Sequence, residues 1–202
     1  MRRILSLIVV GLTFWAVTAN AAEVNLDEAI QERVLGDPNA PVTMIEFSSL
    51  TCPHCADFHK DKLPEIKKKY IDTGKVKLVY RDFPWDQAAA AAALLARCSP
   101  PDRYFKFLDA LFRNREKWIS ENPIEGLTRL GKMGGVSEDK FKACLSEGKI
   151  MDDIIKSRME GAQKYEVSAT PTFIIKGADG EEKIEGDVDL EEFESTIDKF
   201  LP

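Results

Sequence analysis

Cys52 and Cys55, separated by Pro53-His54, and Glu46, six residues upstream in an apolar run, are the residues whose types and spacing can do chemistry here. A thiolate is reactive and a thiol is not, so what matters is whether anything ionises one of the pair. The run "VTMIEF" from Val42 reads as a strand buried on both faces, and Ala56 to Tyr70 has helical spacing through Phe58, Leu63, Ile66 and Tyr70. Cys52 then falls at a helix N-terminus, where unpaired backbone N–H groups and the dipole favour an anion, and Cys55 lies one turn on, close enough to close a ring with it. The first sulfur is therefore expected to be the reactive one. Acidifying it stabilises the dithiol and makes the disulfide a better oxidant. A fall from about 8.5 to about 4.5 favours the dithiol by about 3.4 kcal/mol at pH 7, which raises the potential by about 70 mV. His54 can bring a positive charge or an N–H donor to the Cys52 sulfur, and Pro53 removes an N–H that the first turn leaves unpaired.

Other chemistries fit the same thiols. A structural disulfide across three residues constrains almost no chain and stabilises little. Cys52, Cys55 and His59 have ligand-like spacing for zinc, but an obvious fourth ligand is missing, with Cys98 and Cys144 far off in helical segments. Inert free thiols fit poorly in an exported protein, so redox chemistry is the favoured reading and no metal is expected.

Export is read from the N-terminus. Arg2-Arg3, the apolar run from Ile4 to about Thr18 and Ala19-Asn20-Ala21 follow the order of a secretory signal peptide, with a cut expected after Ala21. Loss of Arg2 and Arg3 with that segment moves the formal charge from −6 to −8. An acidic chain offers no basic footprint for nucleic acid. Four cysteines in an oxidising compartment invite disulfides.

The elements around the pair follow from periodicity. Residues 22–40 read as a short helix, Leu26 to Leu35, and a turn through Gly36-Asp37-Pro38-Asn39-Ala40-Pro41. "VTMIEF", the helix with Pro64 as a kink and Thr73-Gly74 as its stop, and the strand "KVKLVYRDFP" make a β-α-β unit. Helices are expected over Ala88–Arg97, Asp102–Lys117, Ile124–Met133, Ser137–Glu147 with Ser137 as cap, and Met151–Tyr165. "TFIIKG" and "EEKIEG" form a hairpin around Ala178-Asp179-Gly180. Asp189 to Leu201 closes the chain as a helix, with Glu192 placed as a capping-box partner. The expected domain is 41–202, with an all-helical insertion at about 87–166.

"EFSSLTCPHCADFH", followed far downstream by "VSATPTFII", resembles the DsbA family of bacterial periplasmic thiol:disulfide oxidoreductases. The resemblance runs from about Pro41 to Leu201. It implies an α/β thioredoxin-like fold, β-α-β then β-β-α, with a helical insertion. It implies that Pro171 is cis and faces the sulfurs, with Thr170 and Pro171 holding an extended substrate beside Cys52. Family oxidases often carry valine where Thr170 stands, and threonine is frequent in the isomerases. Glu46 matches the family's buried acid, whose implied role is to accept or relay the Cys55 proton; a structural ion pair with a lysine is the alternative. His59 is expected to serve only the surface or helix packing.

Leu94, Leu95 and Cys98 share one helix face, and Phe141, Cys144 and Leu145 another, so both thiols are expected inside the insertion. If bonded, they close a loop of about 47 residues worth about 4 kcal/mol; two buried free thiols are the alternative. A second disulfide in this insertion occurs in some family members. The activity implied is donation of the Cys52–Cys55 disulfide to reduced exported proteins in the periplasm, without cofactor, with re-oxidation by an inner-membrane quinone-linked partner. An isomerase or reductase of the same fold, or a periplasmic metal-binding or chaperone module, are the rivals.

Overall fold

The computed structural model describes residues 23–202; the expected signal peptide, 1–21, lies outside them. At the centre are β2 (Val42–Ser48) and β3 (Val76–Asp82), parallel and in register from Val42 opposite Val76 to Ser48 opposite Asp82. Parallel neighbours need a long crossover. Here it is helical throughout: α2 (Pro53–Asp57), a π-helical turn Phe58–Lys62, α3 (Leu63–Ile66) and a second π-helical turn Lys67–Ile71. Pro64 lacks an N–H and cannot continue an i→i−4 ladder. The wider turn just before it absorbs that break, where the expected kink falls. Gly74 ends the crossover at φ +73°, with its N–H donating to Ile71 O at 3.0 Å.

On the other side of β2, β4 (Thr172–Gly177) runs antiparallel and β5 (Gly180–Glu185) folds back on it. The final helix is α10 (Leu190–Lys199), which buries Phe193 and Ile197. The expected capping box is not formed: the Asp189 side chain makes no cap bond. This is the β-α-β then β-β-α order of a thioredoxin-like fold. Apolar side chains of the crossover, such as Phe58 and Ile66, meet Phe173, Phe193 and Ile197 on one side of the sheet.

The N-terminal segment departs from expectation. The helix α1 is only Leu26–Ala29, and Arg33–Leu35 is a strand, β1, pairing antiparallel with β3 at the sheet edge in the order β1-β3-β2-β4-β5. The Arg33 side chain is buried and donates to the carbonyls of Glu28 and Arg97 at 2.8 and 3.1 Å. A three-residue strand is too short to show a period of two, and its partner lies more than forty residues away, so continued helical spacing was the stronger local signal. Gly36, at φ +102°, makes the turn out of β1; a Cβ there would sit 2.7 Å from Ile71.

Between β3 and β4 lies the helical insertion: α4 (Gln87–Arg97), α5 (Tyr104–Arg113), α6 (Arg115–Trp118), α7 (Pro123–Gly134), α8 (Glu138–Leu145) and α9 (Gly148–Lys164). The expected helix Asp102–Lys117 is two helices broken at Asn114. Ser137 caps α8 by accepting the Lys140 N–H at 3.2 Å. Phe107, Trp118 and Phe141 are core. A buried charge cluster joins the insertion to the sheet: Arg97 Nε–H donates to Asp82 at 2.7 Å, and Arg97 Nη1–H donates to Asp153 at 3.1 Å. Among the described residues no helix is long and apolar enough to cross a membrane.

Cys98, at the end of α4, is bonded to Cys144 of α8, a sequence separation of 46. Replacing both by alanine is expected to lower the unfolding free energy by about 3 kcal/mol, the chain-entropy figure reduced for native-state relaxation. Urea denaturation under non-reducing conditions measures this. A loss below about 1 kcal/mol would mean that the bond does not limit the unfolded chain.

Candidate active site

The C-terminal end of β2 delivers the chain into the loop 49–52 and then into α2. Cys52 sits at the N-cap of α2 in extended conformation, its side chain making no cap bond, with Pro53 in the first turn. The half-buried sulfur lies beside the first backbone N–H groups of the helix. Cys55, one turn on, is 0% exposed, whereas Cys52 is half-buried; both are free thiols. Opposite, the loop before β4 brings Thr170 and Pro171, joined by a cis peptide bond, up to the sulfur. The Cys52 thiol donates to Thr170 O at 3.2 Å.

These surroundings separate the two thiols. Cys52 falls from its ordinary value of 9.0 to about 5. The largest cause is the hydrogen bond from the Cys55 thiol; burial opposes it, and the Thr170 side chain and the backbone N–H groups of Cys55 and His54 add to it. Thr170 acts in two ways: its carbonyl accepts from the thiol, while its side chain is among the groups that lower Cys52, and only the second favours ionisation. Cys55 is pushed well up, first by burial and then by its hydrogen bond to, and the charge of, Cys52.

His54 acts through its backbone N–H, while the imidazole is exposed and lies near Asp57 and Asp187. Asp187 is already paired with Lys62 at 2.8 Å. The zinc-like set Cys52, Cys55 and His59 does not converge, because the ring of His59 is turned to Glu46.

His59 is the larger correction. It is 2% exposed, and its Nε2 lies within hydrogen-bond distance of the two carboxyl oxygens of Glu46, at 2.9 and 3.2 Å. Glu46 is 0% exposed, so its partner is this histidine and not a lysine. On its other side the imidazole stacks on Phe112 of α5, ring centroids 4.2 Å apart and planes 27° apart. A signal was available: His59 is four residues after the buried Cys55 and so on the same inward helix face.

Trp85 also went unnoticed in the sequence. It follows β3 and donates Nε1–H to Thr170 Oγ1 at 2.9 Å, while the guanidinium of Arg158 on α9 lies 5.5 Å above its ring. Nothing in the local pattern at 83–86 announces a bond to a residue 85 positions away.

A family profile described as Thioredoxin matches residues 28–199. The crystal structure of Wolbachia pipientis alpha-DsbA1 is 37% identical, superposes with a TM-score of 0.78 and covers 84% of this chain and 90% of that one. The chain belongs to the DsbA family of thioredoxin-fold proteins. Among curated DsbA-family relatives, the probable disulfide bond formation protein D of Bacillus cereus is 30% identical over 72% of this chain and 70% of its own length. The putative protein-disulfide oxidoreductase of Rickettsia felis is 34% identical over 84% of this chain. This DsbA-family chain spans only 60% of the Rickettsia protein's length.

Proposed function

We propose that this chain is a protein thiol:disulfide oxidoreductase of DsbA type, an oxidase that donates its Cys52–Cys55 disulfide to reduced cysteines of exported proteins. One observation carries the reading: a half-exposed sulfur held as a thiolate at a helix N-terminus, paired with a buried sulfur that resists ionisation. A bond between two such sulfurs is broken easily at Cys52. A substrate thiolate attacks Cys52 Sγ, the S–S bond breaks, and Cys55 leaves with the electron pair and takes up a proton. The second substrate thiolate then attacks the substrate sulfur of the mixed disulfide. Cys52 leaves as its thiolate, so two electrons have passed from substrate dithiol to enzyme dithiol. Thr170 and Pro171 offer extended backbone to the substrate beside the reacting sulfur. Glu46 is the buried acid of the site and exchanges the Cys55 proton, with His59 holding its carboxyl in place. The periplasm is the compartment, and an inner-membrane quinone-linked protein re-oxidises the dithiol. No cofactor takes part in the exchange.

Threonine before the cis proline points to isomerases by composition. Its hydroxyl is nevertheless among the groups that favour the thiolate, which raises the oxidising power of the disulfide and supports the oxidase reading.

The test is oxidation of a reduced two-cysteine peptide by the oxidised protein, together with equilibration against glutathione. Stoichiometric peptide oxidation, lost in Cys52→Ser, and a potential above about −180 mV are expected. A potential near that of thioredoxin, about −270 mV, would contradict the oxidase assignment.

A further inference from the structure

We propose that Trp85 is a positioning residue that aims the Thr170 hydroxyl at Cys52 and thereby sets how acidic, and so how oxidising, the site is. The proposal rests on the reading of Cys52 as the reactive thiolate.

A threonine hydroxyl carries one hydrogen and two lone pairs, and its rotor is free unless a partner fixes it. In this site Trp85 Nε1–H, which can only donate, occupies one lone pair of Thr170 Oγ1 at 2.9 Å. The oxygen is thereby committed as acceptor on that side, and its hydrogen is left for another acceptor. Thr170 is buried, its carbonyl accepts from Cys52 Sγ at 3.2 Å, and its side chain is among the groups that favour the Cys52 anion. Without the indole N–H, the hydroxyl can turn away to satisfy itself elsewhere.

The placement of Trp85 is itself built. Its ring is 46% exposed, yet it packs edge-on against Phe83 at 5.0 Å and under the Arg158 guanidinium at 5.5 Å. The helical insertion therefore reaches the redox sulfur through Arg158, Trp85 and Thr170. The other charged groups around the loop are engaged elsewhere. Asp86 accepts from Thr51 at 2.7 Å and caps α4 by accepting the Ala89 N–H at 2.8 Å, and Arg115 donates to Thr51 O at 3.4 Å. None of these contacts uses the indole N–H.

Trp85→Phe keeps an aromatic ring for Phe83 and Arg158 and removes only the donor. The experiment is the pH titration of Cys52, by thiolate absorbance and by iodoacetamide rate, in four reduced proteins: wild type, Trp85→Phe, Thr170→Val and the double variant. Circular dichroism confirms that each is folded. Trp85→Phe is expected to raise the midpoint by about 0.5 to 1 pH unit, the scale of a weakened hydrogen bond to an anion. The oxidised-to-reduced equilibrium with glutathione should move in parallel, by about three- to tenfold towards a weaker oxidant. Once Thr170→Val has removed the hydroxyl, Trp85→Phe should add no shift. A shift of the same size in both backgrounds, or none in the wild-type background, overturns the proposal while leaving the oxidase reading intact. A wild-type midpoint near 9 sinks the oxidase reading and this inference with it.

Discussion

Alkylation of the reduced protein by iodoacetamide is expected to switch on with a midpoint near pH 5 and to involve Cys52 alone. The thiol falls from its ordinary 9.0 to about 5 because the Cys55 thiol, the Thr170 hydroxyl and two backbone N–H groups all donate to the anion. Cys55 stays silent because burial and the neighbouring negative sulfur push it up. The same ionisation appears in stability. Cys52 is an acid whose folded value lies below its unfolded one, so it stabilises the reduced fold fully above about pH 9. That stabilisation shrinks as pH falls from about 9 and is gone below about 5. The disulfide form has no such group. Reduced minus oxidised unfolding free energy is therefore expected to grow from pH 4 to pH 8. The two pH units between 5 and 7 correspond to about 2.7 kcal/mol, and because half of the group faces solvent, about 1.5 kcal/mol is the expected gain at pH 7. Paired urea titrations of both redox forms across this range measure it, and a difference that stays level would show that no ionisation near pH 5 is coupled to folding.

His59→Leu is expected to cost about 3–5 kcal/mol, the penalty for removing one partner of a buried pair. The Glu46 carboxyl is fully enclosed and would be left with neither histidine nor water. The added leucine cannot repay this, although it restores most of the volume and some contact with Phe112. Glu46→Leu combined with His59→Leu should recover more than half of the loss, since replacing both polar partners by apolar groups removes the desolvation penalty at its source. Denaturant midpoints of the single and double variants decide the matter. A His59→Leu cost below about 1 kcal/mol, or a double variant weaker than the single, would mean that Glu46 finds another partner.

How much of this was legible along the chain depended on the distance over which each interaction acts. Cys52 and Cys55, the strand before them and the helix after them are neighbours in sequence, so their junction and the acidity expected of the first sulfur could be read from pattern and helix electrostatics alone. The same holds for β4, β5 and α10, whose apolar run, turn residues and helical spacing are local. The departures at Arg33–Leu35 and at Trp85 involve partners remote in sequence. Arg33–Leu35 became a strand because β3 offers an unpaired edge, and Trp85 gained its bond because β4 begins beside it.

By itself the sequence determined the family, the β-α-β then β-β-α order and the strand–helix junction that carries Cys52 and Cys55, since hydrophobic period and a helix N-terminus act over a few residues. Only the tertiary structure decided which groups surround the sulfurs and the buried acid. His59 and Glu46 meet across the packed face between helix and sheet, Thr170 reaches Cys52 across 118 positions, and Cys98 bonds to Cys144 across 46. Those contacts depend on chain closure, which no local pattern records.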